Sequence, residues 1–230
     1  MVVRKCSNLG NRDLLLVDKA YEEIKKGIYD RLYQPGSKLS SSEIAERLGM
    51  SRTPVVSAIN RLIAQGLATE VPRRGVIVAH PRPSQIRNSI DVRRMMETFA
   101  VPYAIKNAIY FPDLVDEMED LANQLQKLSA TAYHQVTVLE NQFHTNLIKL
   151  TNNSQLLRLY EANWGVGFAT YTYLISNSPI RRYHESCQEH LEYVECLRTG
   201  DEARLSHLAE RHFDFIYSML DLLSHSSIFE

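Results

Sequence analysis

The stretch that decides the fold runs from Pro35 to Val78 and reads PGSKLSSSEIAERLGMSRTPVVSAINRLIAQGLATEVPRRGVIV. Apolar residues recur at helical spacing on both sides of Gly49, a residue that ends a helix cheaply because it tolerates positive φ. Ser51 is expected to cap the second helix, and Pro54 falls in its first turn, where a missing N–H costs little. Two short apolar runs then flank a basic tip, residues 72–75. The pattern predicts a winged helix-turn-helix, a shape that fits the DNA major groove.

The second of these helices is the predicted recognition helix. An arginine at its N-terminal end can bond a guanine with two hydrogen bonds, and a threonine there can contact a thymine methyl or a phosphate. The alternative for each arginine is an ordinary solvated charge. The residues predicted to contact DNA are Arg52, Thr53, Ser57, Asn60 and Arg61 on this helix, and Arg73 and Arg74 in the basic tip.

The same residues carry a family resemblance. The fragments Glu43-Ile44-Ala45, Ser51-Arg52-Thr53-Pro54-Val55 and Arg73-Arg74-Gly75 follow one another as in the N-terminal domain of the GntR family of bacterial transcriptional regulators, which this stretch closely resembles. The resemblance implies a double-stranded DNA operator as partner. The family commonly has Arg directly after the Pro-Val pair, where this chain has Val56, so a different operator preference is expected.

Length and charge indicate one or two domains with distinct tasks. Residues 1–80 hold 13 Lys and Arg against 8 Asp and Glu, whereas residues 81–230 hold 13 against 19. A basic N-terminal part suits phosphate contacts, and an acidic remainder suits another role. No apolar run approaches the ~18 residues that span a bilayer, and the three cysteines are not expected to form a disulfide framework. We therefore expect a cytoplasmic protein.

The order of elements predicts a mainly α protein. A first amphipathic helix is expected at about 14–33, and residues 1–80 are assigned to the winged helix-turn-helix domain. Residues 81–83 are assigned to a Pro-rich linker, and residues 84–230 to an all-α bundle. Pro102 lies inside the first bundle helix and is expected to kink or split it. The fold class is thus a winged helix with a small β-hairpin, followed by an all-α helical bundle.

Four polar residues lie on predicted inward faces of the bundle. Glu140 and His144 are spaced i and i+4 on one helix, and His190 and His212 lie within apolar stripes of two later helices. A single buried histidine is usually a satisfied core residue. The four together favour a divalent metal, since buried ionisable groups are costly unless they are paired or metal-bound. Zinc is expected first, with nickel or manganese as alternatives.

A second resemblance covers residues 84–224. The segments Glu140-Asn141-Gln142-Phe143-His144, Glu189-His190 and His212 resemble the metal-binding pattern of the FadR-type subfamily, whose all-helical effector domain is called FCD. The resemblance implies these four ligands, although the subfamily mostly has Asp where this chain has Glu140. It also implies that Arg93 holds the carboxylate of an effector. The alternative for Arg93 is a salt bridge to Glu97, one turn further along the helix.

Together the residues and resemblances predict a ligand-responsive transcriptional regulator rather than an enzyme. It would bind a two-fold symmetric operator as a homodimer and respond to a small organic acid that binds beside a metal. Three alternatives remain open at this point: a metal-dependent enzyme, a metal-free regulator whose histidines bind the effector, and an architectural DNA-binding protein without effector.

Overall fold

The computed structural model describes residues 11–30, 32–79, 83–129, 132–164 and 180–224. The chain divides into two compact units, Met1–His80 and Pro81–Glu230. The structure is mainly helical and contains one two-stranded sheet among the described residues, so the predicted fold class is confirmed. In the same parts of the chain, no helix has the length and apolar character that crossing a bilayer requires.

The first unit is a winged helix. Its helices are α1 (Asn11–Tyr29), α2 (Ser41–Leu48) and α3 (Arg52–Ala64), and its strands are β1 (Ala68–Val71) and β2 (Gly75–Val78). The strands are antiparallel, with Ala68 opposite Val78 and Val71 opposite Gly75. Residues 72–74 form the turn between them, so the predicted basic tip is the tip of the wing.

The turn between α2 and α3 follows from two residues. Ser40 accepts a hydrogen bond from the Glu43 backbone N–H at 3.4 Å and caps the start of α2. Gly49 adopts φ 62° at the end of α2, and its N–H bonds back to carbonyls of that helix. Such a left-handed conformation favours glycine, so the predicted helix end is confirmed. Ser51 precedes α3 in an extended conformation but makes no capping hydrogen bond with its side chain, which corrects the predicted cap.

The core of the first unit lies between α1 and α3. Ile24 on α1 and Val55 and Leu62 on α3 are fully buried. Burying each such side chain is worth about 1.5–3 kcal/mol. This packing holds α1 behind the helix-turn-helix and leaves the opposite side of α3 exposed.

The second unit is a helical bundle. Its elements are α4 (Pro83–Asn107), a short 3₁₀ turn (Ala108–Tyr110), α5 (Pro112–Lys127), α6 (Tyr133–Lys149), α7 (residues 154–164), α8 (Ile180–Thr199) and α9 (Glu202–Ser224). Helix α4 begins at Pro83, the last residue of the predicted linker 81–83. Proline suits the first turn of a helix, where its missing N–H is not needed.

Pro102 does not split α4, which is one helix from Pro83 to Asn107. The Pro102 side chain is exposed, so its ring reaches solvent on the outside of the bundle. The opposite side of α4 packs against α6 and α9, and buries Ile86, Ala100 and Ala104. Tertiary packing of that side is what maintains the helix across the proline.

The bundle surrounds one apolar core. Helix α8 packs against α5 and α9, and Met118, Phe143, Leu147 and Tyr193 are among the fully buried side chains of that core. Trp164 is buried at the described end of α7. The core therefore brings inward faces of α4, α6, α8 and α9 to a common centre.

Candidate metal centre and nucleic-acid interface

Three helices of the bundle place four potential metal ligands at one point. Helix α6 supplies Glu140 and His144 one turn apart, α8 supplies His190, and α9 supplies His212. All four side chains are buried, and one ligand atom from each lies within 4.8 Å of the others. The i and i+4 spacing on α6 and the apolar stripes of α8 and α9 are the reasons why these side chains share the interior.

The distances within the cluster suit a small cation. Glu140 Oε2 lies 3.4 Å from His144 Nε2 and 3.3 Å from His190 Nε2, and these two nitrogens are 3.3 Å apart. Two ligands about 2.1 Å from one ion at a tetrahedral angle are about 3.4 Å apart. The three atoms are therefore spaced as ligands of a single ion would be.

The fourth residue of the cluster has an unsatisfied nitrogen. The ring centroid of His212 lies 5.0 Å from that of His144 and 5.6 Å from that of His190. Its Nε2 atom is buried and has no hydrogen-bond partner in the described part of the chain. A buried nitrogen without a partner costs free energy, and a metal ion would remove that cost.

Two further carboxylates approach the opposite nitrogens of the histidines. Glu97 Oε2 on α4 lies 2.9 Å from His144 Nδ1, and Glu189 Oε2 on α8 lies 3.5 Å from His212 Nδ1. A carboxylate beside Nδ1 favours the proton on that nitrogen and leaves Nε2 as a lone-pair donor. This arrangement is common around metal-binding histidines.

The electrostatics of the cluster match the protonation states that metal binding needs. Burial by itself raises the pKa of Glu140, but interactions with His190 and His144 hold that pKa well below its ordinary value. Burial lowers the pKa of His212 to about 4, and the charges of His144, Arg93 and His190 act in the same direction. At neutral pH the site thus offers an anionic carboxylate and a neutral imidazole.

Arg93 lies beside this cluster and is itself buried, with 4% of its surface exposed. Its Nε donates to Glu97 Oε1 at 2.5 Å, and its guanidinium lies 4.7 Å from the ring centroid of Trp164 and 5.4 Å from that of Phe213. The salt bridge to Glu97, which the spacing predicted as the alternative for Arg93, is therefore present. It links Arg93 through Glu97 to His144.

The other candidate surface is the open side of α3 and the wing. Among the residues predicted to contact DNA, Arg52, Thr53, Asn60, Arg61, Arg73 and Arg74 are exposed and Ser57 is partly exposed. Arg52 Nη2 donates to Ser41 Oγ at 3.3 Å, which positions it near the start of α2. Val56, also on α3, is 41% exposed, so it adds an apolar side chain to this otherwise polar surface.

Arg61 is positioned differently from the rest of that set. Its Nη1 lies 2.9 Å from Asp18 Oδ1, and its guanidinium lies 4.0 Å from the ring centroid of Tyr21. The tyrosine hydroxyl donates in turn to Gln65 Oε1 at 2.5 Å. Arg61 therefore joins α3 to α1, a contact that helical spacing alone did not indicate.

Comparison with known proteins identifies the family. Residues 88–215, more than half of the chain, match the family model of the FCD domain, and residues 16–78 match that of the bacterial regulatory proteins, gntR family. The chain belongs to the GntR family. As a GntR-family regulator with an FCD domain, it is related to transcriptional regulators, in agreement with the prediction that it is not an enzyme.

Individual relatives of this GntR-family regulator support the same assignment. It is 25% identical over 194 residues to the Nta operon transcriptional regulator of Aminobacter aminovorans, covering 82% of this chain and 88% of that protein. A match at 37% identity over 81 residues, to an HTH-type transcriptional regulator in the TAR-I ttuE-ttuC' intergenic region of Agrobacterium vitis, covers 35% of this chain and 47% of that protein. The structure of E. coli McbR/YncC has the same fold, with a TM-score of 0.75 at 21% identity over 91% of this chain and 99% of that one.

The sequence did not predict the contacts that four residues make near the two candidate sites of the GntR-family regulator. Glu97, Glu189 and Tyr160 surround the cluster, and Lys38 lies next to the wing, paired by a β-bridge with Ile77. From the sequence, Lys38 is only a basic residue before α2. Its pairing with Ile77 of β2 depends on the tertiary fold and could not be predicted. Glu97 was seen as a partner of Arg93, but its approach to His144 depends on how α4 packs on α6.

Proposed function

We propose that this GntR-family protein is a ligand-responsive regulator that binds a two-fold symmetric DNA operator as a homodimer. Its helical unit would hold one divalent metal through Glu140, His144, His190 and His212, with zinc as the first candidate and nickel or manganese as alternatives. The effector would be a small organic acid whose carboxylate binds Arg93 beside the metal. The effector would bind the DNA-binding and the non-binding conformations of the regulator with different affinities. It would thereby change operator occupancy and so cause repression or activation.

The observation that carries the metal is the buried cluster itself. Four ligand atoms lie within 4.8 Å of one another, and the buried Nε2 of His212 has no partner among described residues. Imidazole nitrogen and carboxylate oxygen together suit zinc and its neighbours in the first transition row. When bound, the ion supplies a Lewis-acidic point to which an effector oxygen can bind.

The DNA-binding part of the proposal is supported by the exposed side of α3. Arg52 and Thr53 lie at its N-terminal end, the end that meets base edges in helix-turn-helix proteins. Asn60 and Ser57 continue that surface, and Arg73 and Arg74 extend it along the wing toward phosphates or the minor groove. We place Arg61 outside the base-reading group because it is engaged with Asp18 and Tyr21.

The homodimer is supported by an apolar stripe on α4. Val92, Met95, Phe99 and Tyr103 recur at helical spacing and are 40–64% exposed. Exposed apolar residues aligned on one side of a helix mark interaction surfaces more often than isolated ones do. A second copy is the occupant that a two-fold symmetric operator requires, because one patch can pair with itself across the axis.

The effector proposal is supported by the surroundings of Arg93. The guanidinium is buried between Trp164 and Phe213 and is connected through Glu97 to His144. A buried guanidinium binds a carboxylate strongly, through parallel hydrogen bonds. An acid that binds both this arginine and the metal would need a carboxylate and a second oxygen ligand.

The test of the metal centre is elemental analysis of untagged protein purified without chelator. Wild type should carry about one metal per chain, and His190→Ala and His212→Ala should lose it. The matched control is His207→Ala, since His207 lies on α9 with His212 but is exposed. Absence of metal from wild type, even after incubation with zinc, nickel and manganese, would reject the metal centre and leave the histidines as core or effector contacts.

A further inference from the structure

One buried carboxylate connects three elements at the centre of the helical unit. Glu97 on α4 is fully buried. Its Oε1 accepts hydrogen bonds from Arg93 Nε and from the Tyr160 hydroxyl of α7, both at 2.5 Å. Its Oε2 lies 2.9 Å from His144 Nδ1 on α6. The two oxygens of Glu97 thus face different partners.

The charge of Glu97 is maintained in spite of its burial. Arg93, whose Nε donates to Oε1, places a permanent positive charge directly against the carboxylate and compensates the charge of Glu97 within the interior. An ionised carboxylate accepts hydrogen bonds and cannot donate one. A neutral His144 can therefore satisfy Oε2 only by carrying its proton on Nδ1.

We propose that Glu97 is the positioning residue of the metal centre, and that it fixes the tautomer in which His144 Nε2 is free to bind the ion. This inference rests on the proposed metal site and assigns a role to a residue outside its ligand set. Arg93 and Tyr160 hold Oε1, so that Oε2 stays directed at the imidazole. The metal-facing lone pair of His144 is thereby set by a residue on another helix.

The substitution Glu97→Gln should reverse the tautomer of His144. The amide oxygen of the introduced glutamine would keep the hydrogen bonds from Arg93 and Tyr160, which are both donors, and its NH₂ group would then face His144 Nδ1. An NH₂ group donates, so Nδ1 would have to accept, and the proton of His144 would move to Nε2. A protonated Nε2 cannot bind a metal, although the substituted side chain keeps the shape of the original.

The control is Tyr160→Phe. This substitution removes one hydrogen bond to Glu97 and keeps the buried ring. Like Glu97→Gln, it therefore alters the hydrogen bonds of the buried network while nearly preserving side-chain volume. Arg93 still donates to Oε1 in this variant, so Oε2 should stay directed at His144 and the tautomer should not change. Any loss that comes only from disturbing the buried network should appear equally in both variants, whereas a change of tautomer should appear only in Glu97→Gln.

The experiment has two readouts on purified, metal-free protein. Zinc affinity is measured by competition with a chromophoric chelator, and the tautomer of His144 by long-range ¹H–¹⁵N NMR above the ordinary pKa of histidine. Wild type should show the proton on Nδ1, and Glu97→Gln should show it on Nε2. Zinc affinity should fall by roughly 10–100-fold in Glu97→Gln, as loss of such an outer partner usually causes, and much less in Tyr160→Phe.

Either of two results would overturn the role of Glu97: equal zinc affinity of wild type and Glu97→Gln, or a wild-type His144 with its proton on Nε2. Failure of the underlying metal proposal looks different, because wild type itself would then bind no zinc. In that case the NMR spectrum of wild type still tests the role of Glu97, because a His144 proton on Nε2 would contradict it. The same wild-type spectrum serves as the test if Glu97→Gln does not fold.

Discussion

Arg52 and Arg61 lie on the same helix and are both exposed, but they contact different residues. Arg61 pairs with Asp18 and lies over the ring of Tyr21, so it connects α3 with α1. Arg52 contacts Ser41 at the open end of α3. Arg61 is thus placed to stabilise the winged helix, whereas Arg52 is available for the base or phosphate contact that we propose.

We predict that alanine substitution separates these two roles. Arg61→Ala should lower the free energy of unfolding by about 1 kcal/mol, the order of an exposed cation–π contact with its ion pair. Arg52→Ala should leave stability unchanged and weaken operator binding by about 1–3 kcal/mol, the value of one bidentate base contact. Chemical denaturation and fluorescence anisotropy on an operator duplex measure the two quantities. Equal losses of DNA affinity in both variants would return Arg61 to the base-reading group.

For single residues, the sequence was sufficient to predict an inward-facing side chain wherever that orientation depends only on the residue's own helix. Glu140 and His144 follow from i and i+4 spacing, and His190 and His212 follow from apolar stripes, so the meeting of these four could be predicted. The contacts of Glu97 with His144 and Tyr160 could not, because they depend on the rotation and offset of α4 against its neighbours. Residues 63 positions apart in sequence, as Glu97 and Tyr160 are, become neighbours only through packing.

Helix α4 shows how tertiary packing overrides a local signal. Pro102 provides no N–H for the carbonyl of Thr98, and a proline inside a helix costs ~3 kcal/mol in isolation. The sequence therefore predicted a kink or a split; the split does not occur, and α4 continues to Asn107 because its inner side is buried against α6 and α9. Where packing and turn residues agree, as at Gly49, the prediction of the helix end was confirmed.

We predict that Pro102→Ala stabilises the helical unit. The side chain is exposed, so alanine would restore a hydrogen bond without creating a cavity, and the free energy of unfolding should rise by about 1–3 kcal/mol. Lys106→Ala, an exposed substitution one turn later on α4, is the control and should change it by less than about 0.5 kcal/mol. Thermal or urea denaturation monitored by circular dichroism measures both. A loss of stability in Pro102→Ala would show that α4 depends on the geometry that the proline imposes.

The whole molecule consists of two compact units of opposite net charge. The basic residues 1–80 contain the winged helix, and the acidic residues 81–230 contain the bundle with the exposed stripe on α4. DNA should attract the first unit and repel the second. Association through the bundle would bring two winged helices to one operator without a DNA contact by the bundle itself.

We predict that Phe99→Glu converts the protein from dimer to monomer. A charge at the centre of the stripe would have to be desolvated on each side of a two-fold interface, where it would also face its own copy. Sedimentation or light scattering should show half the wild-type mass, and affinity for a palindromic operator should fall at least tenfold. Tyr110→Glu, at an exposed aromatic residue outside the stripe, should remain dimeric. A dimeric Phe99→Glu would exclude the α4 stripe as the interface.

The packing of α4 against α9 has a consequence for how the protein is made. The first helix of the bundle is covered in part by the last, and about 95 residues separate the end of one from the start of the other. At ~5–20 residues per second on the ribosome, α4 waits roughly 5–20 s for that partner. His212 lies on the same helix, so neither the apolar core nor the proposed ligand set is complete on a nascent chain that still lacks α9. Chaperones should therefore bind the bundle during synthesis, and chains that terminate before α9 should be degraded rather than accumulate as a shorter regulator.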